Sequence, residues 1–273
     1  MQLSDIDLLD ADRFVRQEHH EMFTVLRREA PVFWHDDHEG GGFWNVVRHA
    51  DLREVNRNAE LYSSERGGIS IFDTSEDEES GMDLRGLNMI YTDPPKHTRY
   101  RRLVSKGFTP RMIGLLEQYL EYRGRLIVDN VIERGSCDFV EDLASELPLQ
   151  AIAEIMGVPQ EDRHLIFKWS NDMIGMDDPE YEGDPSAAAM ELYSYSHQLA
   201  AERTIDPQDD IITKLINAEI EGDRLTELEI DMFMLLLSVA GSETTRNATS
   251  HGMLALMQHP DQLELLMADL DGR

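Results

Sequence analysis

The sequence predicts a mainly α-helical fold with a small β element near its N-terminus. From Asp93 onward, apolar residues recur at helical spacing between signals that are typical of helix starts and ends. Residues 31–52 instead read PVFWHDDHEGGGFWNVVRHADL, in which aromatic and β-branched residues flank a glycine-rich turn. There is no internal repeat and no linker rich in Ser, Gly or Pro, so a single domain is expected over residues 1–273.

The N-terminal part is predicted to contain short elements. A helix is expected over residues 14–29, two strands on either side of the EGGG turn, and a short helix over about 50–59. Residues 63–91 include the acidic run DTSEDEESGMD and predict a long loop. Such a loop inside a compact domain is either functional or mobile.

Helices are predicted to dominate the remainder of the chain. Asp93 is expected to cap a helix that begins at Pro94 and ends at Gly107. Thr109, followed by Pro110, repeats this start signal for a helix that reaches about Arg134. Further helices are expected over 141–156, 160–175, 186–204 and 208–221.

The last long helix has the clearest start signal. Thr226 and Glu229 form a capping-box pattern, in which each side chain binds the backbone N–H of the other residue. The helix is predicted to continue to His259, because Pro260 disfavours continuation and is well placed to begin the next helix.

Composition indicates a soluble, cytoplasmic protein without a membrane span. The chain has 54 acidic and 25 basic residues and a formal net charge of -29, which argues against nucleic acid or an anionic membrane as a partner. Its apolar runs reach roughly ten residues, about half of what crosses a bilayer, and its N-terminus lacks a signal-peptide pattern. The single cysteine, Cys137, excludes an intrachain disulfide.

The stretch LLLSVAGSETTRNATSHG, residues 235–252, places small and polar residues inside this long helix. A stripe of small residues shares one face and would let a flat group or another backbone approach closely: Gly241, Thr244, Ala248, Gly252 and Ala255. The Thr244 hydroxyl is expected to bond to the Ala240 carbonyl and loosen the helix beside Glu243. An acid next to an alcohol can relay protons.

Two simpler interpretations of the same residues remain open. Gly241 could end one helix while Ser242 caps a second one, or the small stripe could serve ordinary packing between helices.

A second informative stretch is YTDPPKHTRYRRLVSKGFTPR, residues 91–111. It has six Lys or Arg residues and no acid between Lys96 and Arg111, in an otherwise acidic protein. His97 and Arg101 are four residues apart and could bind one anionic group together. The alternative is a solvated basic helix.

These stretches resemble cytochromes P450. AGSETT, residues 240–245, is similar to the Ala/Gly-Gly-x-Asp/Glu-Thr-Thr signature of that family's long distal helix, and residues 91–111 resemble its DPPxHTRxRRLVxxxFTPR segment. FWNVVRHADLREVNRNAELYSSERGG is similar to the family's first sheet and following helix. The resemblance implies an incomplete P450 fold with a long central distal helix, closest to the actinobacterial branch that hydroxylates steroids, sterol side chains and methyl-branched lipids.

The resemblance also implies roles for individual residues. Ala240 and Gly241 would border the oxygen-binding groove over a haem, and Glu243 and Thr244 would deliver protons to bound dioxygen. The haem propionates would be held by His97 and Arg101. Arg102 and Lys106 would help to dock a ferredoxin that brings electrons from NAD(P)H through a reductase. Apolar residues would line the substrate pocket: Ile69, Ile71, Phe72, Leu87, Met89, Met173, Ile174 and Met176.

The chain departs from the family in one essential respect. It lacks the Phe-Gly-x-Gly-x-His-x-Cys loop that supplies the axial thiolate, and also the Glu-x-x-Arg pair. Cys137, in ERGSCDFVEDL, is interpreted as a small buried residue entering a strand rather than as that ligand. We therefore expect a domain truncated at its C-terminus, with apolar surface exposed where about a third of the fold is missing.

Two function hypotheses follow. The first is a portion of a haem monooxygenase that inserts one oxygen atom from O2 into a steroid, a sterol side chain, a fatty acid or a branched lipid, and is inactive as this chain alone. The alternative is a non-catalytic helical protein that binds lipids or a partner. A metallohydrolase is disfavoured, because the histidines, such as His19 and His20 before Glu21, lack the HExxH pattern.

Overall fold

The computed structural model describes residues 1–37, 41–67, 86–175 and 183–270. The described residues form mostly helices, together with two-stranded antiparallel sheets, which confirms the predicted fold class. Contacts divide the chain into two compact units, Met1–Thr98 and Arg99–Arg273.

The first unit is built from short elements around one apolar cluster. Ile6, Met22, Val25 and Leu26 are its buried centre. A left-handed residue, Gln17, interrupts the single helix predicted over 14–29 and divides it into two. The elements are a 3-10 helix at Leu3–Asp5, α1 Ala11–Val15, α2 His19–Glu29, β1 Val32–Asp36, β2 Gly42–Val46, α3 His49–Arg57, α4 Ser64–Gly67 and a 3-10 helix at Met89–Tyr91.

The predicted strand pair is confirmed. Strands β1 and β2 are antiparallel with Trp34 opposite Trp44, and the two indole rings meet edge to face with centroids 5.2 Å apart. Aromatic pairs across strands are a common source of sheet stability.

The second unit is a helical assembly that begins within α5. Its elements are α5 Lys96–Val104, α6 Pro110–Ile132, a π-helix at Val140–Ala144, α7 Glu146–Met156, α8 Arg163–Ile174, α9 Pro185–Ile205, α10 Ile211–Ile216, β3 Glu219–Ile220, β4 Asp223–Arg224, α11 Glu227–Gln258 and α12 Pro260–Ala268.

Helix α11 is the centre of the second unit and packs against α7, α8 and α9. Its predicted capping box is confirmed: the Glu229 N–H donates to the Thr226 hydroxyl at 3.2 Å, and the Thr226 N–H donates to the Glu229 carboxylate at 2.8 Å. The helix runs without interruption through Gly241, so the interpretation in which Gly241 and Ser242 divide it into two helices is wrong.

The helix start predicted at Pro94 is wrong, because α5 begins at Lys96. The Asp93 carboxylate has other partners: it accepts hydrogen bonds from the Ser63 hydroxyl and, at 2.9 Å, from the Ser64 N–H. These bonds hold together residues about thirty positions apart, which local helix-start signals do not reveal.

Cys137 also differs from its prediction. It is exposed, and a π-helix rather than a strand follows it. The local reason is Asp138, whose carboxylate accepts the N–H groups of Val140 and Glu141 at 2.9 and 3.0 Å and so favours a helical turn.

The helix predicted over 208–221 is shorter than expected. Helix α10 ends at Ile216, and the β3–β4 hairpin follows, with positive φ values of 56° at Glu221 and 85° at Gly222. Two consecutive residues of this kind are typical of the tight turns that join antiparallel strands.

A group of exposed apolar side chains lies at the C-terminal end of the second unit; that it would face the missing third of the fold stays a prediction. Met257 is 69% exposed and Leu265 66% exposed. Neighbouring residues on α11, on α12 and just beyond it are exposed as well: Met253, Leu254, Leu266, Met267 and Leu270. Across the described ranges, no helix combines the length and apolarity that a membrane span requires.

Candidate functional site

The candidate site is the Ala240–Thr245 segment of α11. Burial changes along this helix: residues 230–235 are buried inside the unit, whereas Ala240 and Thr244 are exposed on one face. The Thr244 hydroxyl donates to the Ala240 carbonyl at 2.6 Å, as predicted. The helix nevertheless remains α-helical at this point, so the bond is accommodated without opening the helix.

Gly241 has a packing function that fits the second of the simpler interpretations. A Cβ atom at this position would lie within 3.0 Å of two side-chain carbons of Ile152 on α7. Only a glycine lets α11 approach α7 this closely. Gly241 therefore contacts a neighbouring helix, while Ala240 and Thr244 present the exposed small face. Its assignment to the oxygen groove stays a prediction.

The Glu243 carboxylate is held by neighbours on its own helix. It accepts hydrogen bonds from the Arg246 guanidinium, with which it forms an ion pair, and from the Asn247 amide at 2.8 Å. Arg246 in turn donates to the Asn171 side chain on α8 at 3.2 Å and lies 5.7 Å from the ring centre of Phe167. The position of the Glu243 carboxylate therefore depends on α8 through Arg246.

Arg246 is absent from the residues predicted from the sequence, although a local signal for it is present. Glu243 and Arg246 are three residues apart, a spacing at which opposite charges pair on a helix. The contact with Asn171 joins residues 75 positions apart, and no local pattern indicates it.

The predicted propionate-binding residues lie one turn apart on α5. His97 is half-buried and Arg101 is exposed. Two further basic residues, Arg102 and Lys106, are exposed on α5 and just after it. The structure thus keeps these side chains available for an anionic ligand or partner, and their assigned roles stay predictions.

Arg99, in the same basic segment, is bound to other residues of the second unit. Its guanidinium binds carboxylates of the same unit, Asp223 and Glu229. The sequence could not reveal this arrangement, because the partners are 124 and 130 residues away.

The predicted substrate-lining residues are only partly within the described structure. Ile71 and Phe72 lie outside the described residues, as do Ile69 and Met176. Leu87 and Met89 are half-buried in the first unit. In the second unit, Met173 is half-buried and Ile174 is 42% exposed at the end of α8. Their assignment to a substrate pocket stays a prediction.

The residues present fit one side of a haem. Ala240 and Ala248 offer a small exposed face, and a Cβ atom at Gly252 would meet nothing within 4 Å, so a flat group could approach α11 there. Cys137 does not fit an axial ligand, because it lies outside any Phe-Gly-x-Gly-x-His-x-Cys loop and instead precedes a π-helix. Within the described ranges, His, Cys, Asp and Glu residues form no cluster of three or more that could hold a metal ion.

Comparisons with known proteins bear on the family of this chain. A sequence model of the family "Cytochrome P450" matches residues 127–272, more than half of the chain. The steroid C26-monooxygenase of Mycolicibacterium smegmatis is 44% identical over 270 residues, which cover 96% of this chain and 63% of that protein. The protein of the same name from Rhodococcus jostii is 44% identical over 269 residues, covering 95% and 56%.

A solved structure shows the same fold. The Mycobacterium marinum cytochrome P450 in complex with pseudoionone has a TM-score of 0.80 and 36% identity, over 93% of this chain and 64% of that one. The chain thus spans less than two thirds of the length of each of these three proteins. Haem is the cofactor that the family implies. The family match, the identity to bacterial steroid monooxygenases and the shared fold lead to one conclusion: this chain belongs to the cytochrome P450 family.

Proposed function

We propose that this chain is the portion of a haem monooxygenase that carries the oxygen-side helix, and that the complete protein hydroxylates an apolar, steroid-like substrate. The observation that carries the proposal is the Ala240–Thr244 face of α11. It combines a small exposed surface, a hydroxyl that donates a hydrogen bond to a helix carbonyl, and an adjacent carboxylate.

In the proposed reaction, one atom of O2 enters a C–H bond of the substrate and the other leaves as water, which consumes two electrons and two protons. Haem, when bound, supplies the iron that binds and reduces O2. Thr244 can turn its hydroxyl from the Ala240 carbonyl toward O2 and donate a proton there. Glu243 can replace that proton once its carboxylate is released from Arg246 and has taken up a proton from solvent.

Helix α5 and the residues just after it are proposed to bind the haem and to dock the electron donor. His97 and Arg101 would bind the haem propionates, for which a guanidinium is well suited. The exposed cations Arg102 and Lys106 would contribute to docking of an acidic ferredoxin, which brings electrons from NAD(P)H through a reductase.

The proposed substrate class rests on the relatives. Two proteins at 44% identity are steroid C26-monooxygenases, and the structurally similar M. marinum enzyme is in complex with pseudoionone. A steroid with an intact side chain is therefore the proposed substrate. Met89, Met173 and Ile174, with Ile71 and Phe72, are the proposed lining.

The exposed apolar surface of α11 and α12 favours a second candidate, a non-catalytic protein that binds lipids or a partner. The candidates differ in their need for Thr244, since a binding protein gains nothing from a proton donor at that position.

The first test is the absorption spectrum of the purified chain with added haem, reduced and exposed to carbon monoxide. The expected result is haem binding without a thiolate-type Soret band, because Cys137 is not the axial ligand. A thiolate-type band would mean that Cys137 ligates the iron and would overturn that part of the proposal.

The second test concerns activity and uses a chimaera in which the thiolate-loop segment of the M. smegmatis relative follows Arg273. With ferredoxin, reductase and O2, it should hydroxylate a steroid that has a side chain, but not one that lacks it. Thr244→Ala should release more peroxide and less product per O2 consumed, whereas Thr245→Ala, the neighbouring exposed threonine, should not. A thiolate-ligated chimaera that forms no product would favour the non-catalytic candidate.

A further inference from the structure

Arg99 joins three parts of the second unit that are far apart in sequence. From α5, its Nε and Nη2 atoms donate to the two Asp223 carboxylate oxygens at 2.7 and 2.9 Å. Its Nη1 atom donates to Glu229 at 2.9 Å, and Nη2 also donates to the Arg224 carbonyl at 2.6 Å. One guanidinium therefore binds the β3–β4 hairpin and the first turn of α11 at the same time.

Glu229 is the central acceptor of this arrangement, which we call the Arg99 clamp: Arg99, Tyr100, Asp223, Arg224 and Glu229. Its carboxylate also accepts the Thr226 N–H and closes the capping box that begins α11. The Tyr100 hydroxyl, on α5, is a further donor to it. Burial alone would raise the pKa of Glu229, but the bonds from Thr226, Tyr100 and Arg99 outweigh burial and lower it.

An ion pair between two solvent-exposed side chains usually contributes little to stability, and the Arg99 contacts are not of this kind. The Arg125–Glu121 pair is of that kind, since both side chains are more than 60% exposed and both lie on α6. The Arg99 side chain is 29% exposed, the Glu229 side chain is 17% exposed, and the contact with Asp223 is bidentate. A planar guanidinium can satisfy these acceptors together, whereas a lysine ammonium cannot reproduce the fork.

Because α11 is continuous, the orientation of its first turn affects the position of Thr244. Thr244 lies fifteen residues after Glu229 on an unbroken helix, or about 22 Å at 1.5 Å per residue. A small tilt at the first turn therefore displaces Thr244 considerably relative to α5.

We propose that Arg99 is a positioning residue, which fixes α5 against the start of α11 and so sets where Arg101 lies relative to the Ala240–Thr244 face. The geometric part of this inference stands by itself. Its catalytic meaning rests on the proposed function.

Distance measurements on the chain test the geometric part. Cys137→Ser removes the single native thiol, and spin labels at Arg102→Cys on α5 and Thr249→Cys on α11 report the separation of two exposed positions. The parent should give one narrow distance distribution. Arg99→Ala and Arg99→Lys should both shift and broaden it, and the matched control Arg125→Ala should leave it unchanged.

A folded Arg99→Ala variant with the parent distribution would overturn the inference. If that variant fails to fold, as judged by circular dichroism, Asp223→Asn is the second test. It removes the ion pair between Arg99 and position 223 and keeps the one with Glu229. It should broaden the distribution by less than Arg99→Lys, and an unchanged distribution would overturn the inference too.

Haem titration of the same variants separates the two proposals. Arg101→Ala is expected to lower the affinity for haem. If Arg99→Ala lowers it as well, the Arg99 clamp contributes to haem binding. If the parent binds no haem at all, the haem part of the proposed function fails, while the distance measurements still decide whether Arg99 positions α5.

Discussion

Asp231 and Glu243 show how differently two acids on the same helix can be placed. Glu243 lies on the partly open half of α11, where Arg246 and Asn247 hold its carboxylate. Asp231 lies on the buried half at 1% exposure, where the His197 ring contacts one carboxylate oxygen at 3.1 Å. Their sequence neighbourhoods agree with this difference, since Asp231 lies in the apolar run IDMFMLLL and Glu243 in the polar stretch SETTRN.

A pH-dependent effect on stability is expected from Asp231. Burial raises the pKa of this carboxyl above its ordinary value of 3.8, and the contact with His197 opposes the shift without cancelling it. The folded state thus binds the proton more tightly than the unfolded state. The stabilising contribution of Asp231 is present below pH 3.8 and is lost as pH rises through the raised pKa.

Urea unfolding of the parent and of Asp231→Asn between pH 4 and pH 8 would measure this effect. The free energy of unfolding of the parent should fall relative to that of the variant as pH rises, and then the difference should level off. Asp129→Asn, at an exposed position on α6, is the matched control and should show no such trend. A constant difference between parent and Asp231→Asn would contradict the assignment.

Helices α7 and α11 illustrate how a glycine can be required by packing rather than by backbone conformation. Gly241 and Gly252 are both inside α11, but only Gly241 meets another helix, at Ile152. The two glycines therefore form a natural comparison, in which the same substitution has opposite expected effects.

Gly241→Ala is expected to destabilise the chain by about 1–3 kcal/mol, the usual cost of forcing an extra carbon into a packed interface. Gly252→Ala should instead stabilise it by about 0.5–1 kcal/mol, because alanine is the better helix former and the added carbon meets nothing. Denaturant unfolding measures both. Ile152→Val combined with Gly241→Ala should recover part of the loss, and no recovery would mean that the clash lies elsewhere.

The elements also show what the sequence could predict. The caps at Thr109 and Thr226 were predictable because each side chain binds a backbone N–H three residues away. The β3–β4 hairpin was missed because its strands have two residues each, too few for a periodic pattern. The Thr244–Ala240 bond was predictable from local spacing, whereas the Arg99 clamp was not, because its charges meet only after the chain folds.

At the scale of the whole molecule, one group of exposed apolar side chains lies close together in sequence. The C-terminal half of α11, helix α12 and the residues just beyond carry seven exposed large apolar side chains, from Met253 to Leu270. Contiguous surface of this kind is uncommon on soluble monomers and favours association.

We therefore expect the purified chain to self-associate as its concentration rises. Met257→Gln combined with Leu265→Gln should lower the association constant, as measured by sedimentation equilibrium. Val15→Gln, which removes an apolar side chain at 81% exposure in the first unit, is the control and should change little. If both variants associate as the parent does, another surface is responsible.

The uneven burial of α11 has a consequence for backbone dynamics. Its first half, up to Ser242, contributes all of the buried residues of this helix, and its second half contributes none. Amide protons near Met232 and Met234 should exchange with solvent only when the unit unfolds as a whole, while those near Met257 should exchange through local fraying. A single helix would then contain both very slow and fast exchange, with the change falling at the Ala240–Thr244 face.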